Sequence, residues 1–136
     1  MQLDKVQPKN KRQLKQLINY AFKHNIYDLN FIDTSEITDM SLLFSNCMHN
    51  FDVSSWDVSN VTNMHYMFYK CKTFNCDLSN WDVSKVKNMN YMFYNCKKFN
   101  CDLSYWDISN MTRWKNTFCG CDKMTIPNWY KLYHKK

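Results

Sequence analysis

The sequence is poor in glycine, with a single one in 136 residues, and it has only two prolines. A glycine-rich phosphate-binding loop is therefore excluded, and calcium loops, which need tight glycine turns, are not expected. The four histidines are scattered, and no Ser, His and Asp arrangement can be singled out among the many serines and aspartates. We predict a protein without catalytic residues, although a cysteine nucleophile paired with His49 or His65 stays open as an alternative.

Long apolar runs are missing as well. Residues 1–10 contain no apolar segment of the kind found in signal peptides, and no stretch of the chain is apolar and long enough to span a bilayer. We therefore expect a cytoplasmic protein without a membrane span. If a phage encodes the chain, the expected location is the cytoplasm of the host cell.

An internal repeat dominates the chain. Three stretches of 25 residues, at 52–76, 77–101 and 102–126, are nearly the same, and a weaker copy at 28–51 precedes them. The shared pattern reads Asp, aliphatic, Ser, any residue, Trp, Asp, aliphatic, Ser, followed by Met, Phe, Cys and an aromatic residue, as in 77–101. Because one repeat of this length cannot bury its apolar residues alone, the period predicts that the copies stack.

Stacking places equivalent residues in columns, which we predict to form the core. The predicted core residues are Trp56, Trp81, Trp106, Phe68, Phe93, Phe118, Met64, Met89, Cys71 and Cys96. Residues 57–61 and their equivalents favour one short parallel strand per repeat, and the Asn-Met-x-x-Met-Phe run that follows favours a helical turn. The predicted fold class is an α/β repeat of four rungs.

Both ends of the chain depart from the repeat and are predicted to be caps within one domain, residues 1–136. The N-terminal cap is residues 1–27. From Lys11 to His24 within it, the apolar residues are spaced as on one face of an amphipathic helix, which would pack over the first rung. A partner helix or a membrane surface is the alternative for that face. Residues 127–136 carry several aromatic residues, enough to close the other end before a basic tail.

Three motifs within the repeat are specific. They are Trp-Asp-Val-Ser-Asn-Val-Thr-Asn-Met at 56–64, Met67-Phe68, and Phe74-Asn75-x-Asp77-Leu78-Ser79. These motifs resemble the BspA-like leucine-rich-repeat family, and the resemblance covers residues 28–126. It implies a leucine-rich-repeat-like solenoid with a binding role and without catalytic residues. The family includes adhesin-like surface proteins of bacteria and protists, mycoplasma lipoproteins and proteins encoded on mobile elements.

Seven cysteines raise the questions of disulfides and of metal binding. Cysteines stacked on neighbouring strands, about 4.8 Å apart, would lie within reach of disulfide geometry. We predict reduced cysteines in the core instead, because their number is odd, most recur at repeat positions and no secretion signal is evident. The pair Cys119 and Cys121 has no second ligand pair at zinc-site spacing, so neither a metal site nor a cofactor is predicted.

The formal net charge is +6, and basic residues in the middle of the chain alternate with tyrosines. We predict a binding surface from the residues of this kind that vary between repeats. They are Tyr66, Tyr69, Lys70, Tyr91, Tyr94, Lys97, Lys98, Tyr105, Arg113 and Lys115. The flat face of four short strands would measure about 300 Å², less than the ~800 Å² that a standard partner covers, so loops or caps must contribute.

These observations predict a non-catalytic protein–protein interaction module. One concrete role is an inhibitor, made by a phage or mobile element, that occludes a host macromolecule such as a defence (CRISPR) nuclease. The alternatives are an adhesin-like surface protein and a nucleic-acid-binding protein whose lysines contact phosphates while its tyrosines stack on bases. A monomer is expected, or an end-to-end dimer if a terminal rung is poorly covered.

Overall fold

The computed structural model describes residues 4–133. It contains two α-helices, α1 at Lys11–Lys23 and α2 at Asn128–Tyr133. Between them the chain forms turns and isolated parallel β-bridges, and no strand is present in the described part. The last residues of the predicted basic tail lie outside the described residues.

The predicted α/β leucine-rich-repeat solenoid is wrong, because the repeats contain neither strands nor helices. In the segment predicted as a strand, Asp57 accepts a hydrogen bond from the N–H of Ser59 at 3.0 Å, and the Val58 carbonyl accepts one from the N–H of Val61 at 3.0 Å. Aspartate side chains that bond nearby amides favour turns over an extended ladder. The β-favouring valines therefore lie in a pair of tight turns.

The repeats are joined by a regular series of backbone hydrogen bonds. Every second N–H donates to a carbonyl of the next repeat, as from Met64 to Asn88 at 2.9 Å. The N–H groups between them close turns within their own repeat, as from Met67 to Met64 at 3.2 Å. We call this feature the turn ladder, which comprises residues 40–47, 64–71, 89–96 and 114–121. In the segment predicted as a helical turn, half of the backbone N–H groups thus donate to the neighbouring repeat.

Left-handed residues at every fourth position make this alternation possible. Tyr66 and Lys70 both have φ of 58°, and positive φ recurs at the equivalent positions of the other repeats. Each such residue is the third of a four-residue turn, where a type II turn requires positive φ. Asparagine or glycine, which tolerate this region best, occupy half of the eight positions: Asn46, Asn95, Asn116 and Gly120.

Gly120 is the single glycine of the chain and has φ of 78°. A Cβ at this position would overlap the Oδ1 atom of Asn95 and lie 3.3 Å from its Cα. We expect Gly120→Ala to lower the free energy of unfolding by about 1–2 kcal/mol, because it adds left-handed strain and displaces the Asn95 side chain. Urea denaturation measures the loss, with the exposed neighbour changed by Cys119→Ala as control. A loss no larger than that of the control would contradict the close contact.

Aromatic stacking fills the core between the repeats, and all ten predicted core residues are buried. Phe68 stacks on Phe44 and on Phe93, with ring centroids 5.7 and 5.4 Å apart, and Phe93 stacks on Phe118 at 5.6 Å. A single column of rings therefore runs through all four repeats beneath the turn ladder.

A tryptophan column lies beside the phenylalanine column, with the ring centroids of Phe68 and Trp81 6.1 Å apart. The indole Nε1 of Trp81 donates to the carbonyl of Val53 in the preceding repeat at 3.0 Å, and Trp56 and Trp106 make the equivalent bonds. Trp129 at the start of α2 repeats the contact with Leu103 at 2.9 Å. The C-terminal helix thus continues the column one step beyond the last repeat.

Helix α1 covers the first repeat. The Asn10 side chain caps its N-terminus by accepting a hydrogen bond from the N–H of Gln13 at 2.9 Å. Leu14, Ile18 and Ala21 are buried on the side that faces the repeat. Neither helix of the described chain is long and apolar enough to cross a membrane.

Candidate functional site

Four tyrosines lie together on the outer face of the turn ladder, and we call them the tyrosine patch: Tyr66, Tyr69, Tyr91 and Tyr94. The rings of Tyr66 and Tyr91 stack with centroids 4.9 Å apart, and those of Tyr69 and Tyr94 stack at 5.1 Å. Within one repeat, Tyr66 lies 5.0 Å from Tyr69 and Tyr91 lies 5.6 Å from Tyr94. The patch is therefore one two-by-two cluster, and each of its rings is half-buried.

The backbone of the ladder determines this arrangement. In each of these two repeats the methionines and the phenylalanine point into the core, whereas the two tyrosines next to them point outward. The N–H of Tyr66 donates to the Asn90 carbonyl at 2.9 Å, and the N–H of Lys70 donates to the Tyr94 carbonyl at 2.7 Å. Because these bonds hold the two repeats in register, equivalent tyrosines have to stack. The patch is ordered by the fold itself, before any partner binds.

Polar groups surround the patch. The ammonium group of Lys70 lies 5.2 Å from the ring centroid of Tyr69, which is a cation–π contact. The Asn116 side chain donates to the hydroxyl of Tyr91 at 3.2 Å. His65 meets the ring of Tyr66 edge-on at 5.5 Å, and burial lowers the pKa of this histidine, which favours its neutral form.

Two further predicted residues border the patch in the last repeat. Lys115 is exposed, and its carbonyl accepts a hydrogen bond from the N–H of Tyr91 at 2.9 Å. Arg113 is exposed two residues earlier, where the chain forms a parallel bridge with Asn88. Both side chains therefore lie at the C-terminal side of the patch.

The remaining predicted residues lie on other turns. Lys97 forms an ion pair with Asp122 at 3.4 Å, and Lys98 is exposed in the same turn. Tyr105 is 92% exposed, and no ring contact among the described residues joins it to the patch. The structure thus brings the four tyrosines and Lys70 together and leaves Tyr105 apart.

Sequence reasoning missed Leu42, which is 51% exposed beside the patch. Leu42 has φ of 63° and occupies the same ladder position as Tyr66 and Tyr91. The alignment of the weak first repeat contains this information, because it places Leu42 in the column of Tyr66. The sequence analysis selected only tyrosines and basic residues for the binding surface, so it could not identify an exposed leucine.

The aspartates of the repeats lie in turns, which they stabilise by accepting hydrogen bonds from nearby serines. Serine N–H and hydroxyl groups two residues later donate to Asp102 and lower its pKa, and the same cause acts at Asp77, Asp82 and Asp107. Within residues 4–133, no group of three or more His, Cys, Asp or Glu side chains could hold a metal ion.

All seven cysteines are free thiols, and five of them are buried. The thiol of Cys71 donates to the Phe44 carbonyl at 2.9 Å, and Cys96 makes the equivalent bond to Phe68 at 3.0 Å. Burial raises the pKa of Cys71 to about 12 and also raises that of Cys96. A thiol with such a pKa carries almost no thiolate at neutral pH, so these cysteines act as hydrogen-bond donors between repeats.

We expect iodoacetamide at pH 8 to alkylate Cys119 rapidly in the native protein, because it is the exposed cysteine. Cys47, which is half-buried, should react more slowly, and the five buried thiols should react only after unfolding. Peptide mass spectrometry measures each site, and protein unfolded in guanidinium should show alkylation of all seven. Alkylation of Cys96 as fast as Cys119 would show that the core is open.

Comparison with known proteins places this chain in a family. A family model described as "Mycoplasma protein of unknown function, DUF285" matches residues 12–129. The matched region contains nearly all of α1, the four repeats and the start of α2. No curated protein and no solved structure matches the chain. The match supports the resemblance to mycoplasma repeat proteins and does not extend to the leucine-rich-repeat assignment.

Proposed function

We propose that the chain, which belongs to the mycoplasma family DUF285, is a non-catalytic protein-binding module. The observation that carries this proposal is the tyrosine patch, in which four half-exposed rings stack in pairs on the turn ladder. Tyrosine is enriched at protein interfaces because it offers a large contact area and a hydroxyl at low cost in conformational entropy.

Preorganisation supports the proposal. A side chain that is ordered only on binding costs about 0.5–1.5 kcal/mol, which reduces the affinity. Here the rings already contact each other, with centroids 4.9–5.6 Å apart. Lys70 lies over the ring of Tyr69, and Asn116 donates to the hydroxyl of Tyr91. A partner that covers the patch therefore gains contact area without ordering these side chains.

The patch alone is too small for a standard interface. A tyrosine buries about 150–250 Å² when fully covered, so four half-buried rings offer about 400 Å², roughly half of what one partner covers in a standard complex. Contacts must therefore extend to the flanks, where Leu42 and Lys115 are exposed.

Single-stranded nucleic acid is the second candidate, because Lys70 and Lys115 lie beside the tyrosines. The stacking geometry favours it less. A base inserted between two rings needs about 7 Å, twice the stacking distance of about 3.4 Å, and the paired rings are only 4.9 and 5.1 Å apart. Bases would be restricted to the outer faces of the pairs, and Lys70 already lies over the ring of Tyr69.

Affinity capture with a matched control tests the proposal. The baits are the tagged protein, the double variant Tyr66→Ala/Tyr91→Ala, and Tyr105→Ala, which removes a fully exposed tyrosine outside the patch. We expect a protein captured from nuclease-treated host lysate by the first and third baits, and reduced at least about tenfold with the double variant, since two interface anchors are lost. Circular dichroism of each bait verifies that it is folded.

Two outcomes would overturn the proposal. Equal capture of every partner by all three baits would show that the patch is not the binding surface. Capture that disappears on nuclease treatment would favour nucleic acid. The narrower predictions, an inhibitor of a host nuclease and an adhesin-like surface protein, stay predictions, as does the cytoplasmic location.

A further inference from the structure

The turn ladder has two ends that differ chemically. Each repeat donates N–H groups to carbonyls of the next repeat, and the direction is the same at all three junctions. Ladder carbonyls of the first repeat therefore face one end of the stack, and ladder N–H groups of the last repeat face the other.

Helix α1 closes the carbonyl end. Lys15 Nζ donates to the Leu43 carbonyl at 2.7 Å, and Lys11 Nζ donates to the Ser41 hydroxyl at 2.9 Å and lies 3.4 Å from the Ser41 carbonyl. Partial burial lowers the pKa of Lys15, as expected for an ammonium group held against the protein. The two lysines occupy two of the four carbonyls that a preceding repeat would use.

At the N–H end, no residue in the described part of the chain occupies the three donors considered next. Asn116, Phe118 and Gly120 occupy the positions whose N–H groups donate to the next repeat elsewhere, and among residues 4–133 these three N–H groups have no acceptor. Helix α2 packs against the core side of this repeat, where Trp129 and Tyr130 contact the Phe118 ring. The ladder thus ends in a row of backbone donors, which is a template for another chain.

We propose that this edge, residues 116–120, binds an acidic segment of a protein partner by backbone addition. At the three junctions between repeats, such N–H groups donate to the carbonyls of every second residue of the next repeat, with N to O distances of 2.7–3.0 Å. A polypeptide that presents carbonyls at this spacing would therefore satisfy the three donors of the edge. Sheet edges bind peptides in the same manner.

Two features indicate which kind of chain binds at the edge: the basic residues beside it, and the lysines that cover the carbonyl end of the stack. Arg113 and Lys115 are exposed beside the edge, and neither takes part in the two ion pairs of the described residues. Carboxylates on the incoming segment would pair with them. A second copy of this chain does not fit, because its complementary carbonyls at Ser41 and Leu43 are occupied by lysines of α1.

This inference rests on the proposed function in one respect, because it assumes that the partner is a protein. The edge adjoins the tyrosine patch, because the Asn116 side chain donates to the hydroxyl of Tyr91 and Lys115 borders both. The two surfaces nevertheless bind through different groups, backbone N–H groups at the edge and aromatic rings in the patch, so each can fail alone. Peptide binding at the edge should survive in Tyr66→Ala/Tyr91→Ala, whereas capture of the partner on the patch should not.

Amide hydrogen exchange followed by NMR tests the edge directly. The probe is a blocked peptide of alternating Asp and Val, and the control peptide has Lys in place of Asp. We expect the acidic peptide to slow exchange at Asn116, Phe118 and Gly120. Arg113→Glu/Lys115→Glu should weaken its binding at least about tenfold. The matched variant Lys72→Glu/Lys85→Glu, which changes two exposed lysines of earlier repeats, should bind within about twofold of the unchanged protein.

Three results would overturn the proposal. One is unchanged exchange at the three amides with millimolar acidic peptide. Another is equal protection by the lysine peptide, which would remove the role of charge. The third is stronger protection of the same amides by a single-stranded oligonucleotide, which would assign the edge to phosphate groups.

Discussion

Replacing Phe93 with alanine is expected to lower the free energy of unfolding by about 3–5 kcal/mol. Phe93 is fully buried, and its ring lies between those of Phe68 and Phe118 at 5.4 and 5.6 Å. Backbone hydrogen bonds fix the spacing between the repeats, so the neighbouring rings cannot move together to fill the cavity. The loss should therefore lie near the full cost of an aromatic residue.

Urea denaturation monitored by circular dichroism measures this loss. Lys98→Ala is the control, because Lys98 is exposed in a turn of the same repeat and should change stability by less than about 0.5 kcal/mol. Since small domains have a total stability of about 5–15 kcal/mol, the Phe93 variant should unfold at a clearly lower urea concentration. Equal, small losses in both variants would contradict the stacked core.

Most of the packing that can be predicted from the sequence follows from the repeat period. A residue such as Phe93 recurs 25 residues after Phe68, and stacking of the copies brings the two rings together whatever the local backbone does. For the same reason the period alone places Tyr66 next to Tyr91. Contacts between equivalent residues are therefore accessible from the sequence without knowledge of the secondary structure.

The local backbone conformation could not be predicted from the sequence in the same way. Val58 and Val61 favour a strand by propensity, but Asp57 and its serine offer hydrogen bonds that favour a turn, and the turn forms. Propensity also fails in the ladder, where Tyr66 and Lys70 adopt a positive φ that their side chains disfavour. The inter-repeat hydrogen bonds at these residues compensate for that cost, and such bonds cannot be read from one repeat.

The direction of the ladder is likewise a property of the assembled stack. The sequence predicts caps at both ends. It does not reveal that lysines of α1 bind carbonyls at one end, while at the other the N–H groups of Asn116, Phe118 and Gly120 have no acceptor among residues 4–133. This polarity follows from left-handed residues that turn alternate amides toward the next repeat. Arg113 and Lys115 acquire their proposed role only once that edge is known.

Trp81→Ala is expected to lower the free energy of unfolding by about 3–5 kcal/mol, as much as Phe93→Ala. Unlike Phe93, Trp81 contributes a side-chain hydrogen bond as well as a buried ring. Its indole is 4% exposed and donates to the Val53 carbonyl at 3.0 Å, an oxygen that also accepts the N–H of Trp56 at 3.1 Å. In Trp81→Phe the carbonyl keeps that second bond. The expected loss is then about 1–2 kcal/mol, from one missing hydrogen bond and a slightly smaller ring.

Thermal and urea unfolding of both variants, monitored by circular dichroism, separate the two contributions, with Tyr105→Ala as an exposed aromatic control. If Trp81→Phe were as destabilising as Trp81→Ala, the hydrogen bond to Val53 would determine the stability of the column and ring burial would be secondary. A small loss for Trp81→Phe would mean that ring burial holds adjacent repeats together. Trp129, which makes the same contact from α2, would then attach the C-terminal helix mainly through the burial of its ring.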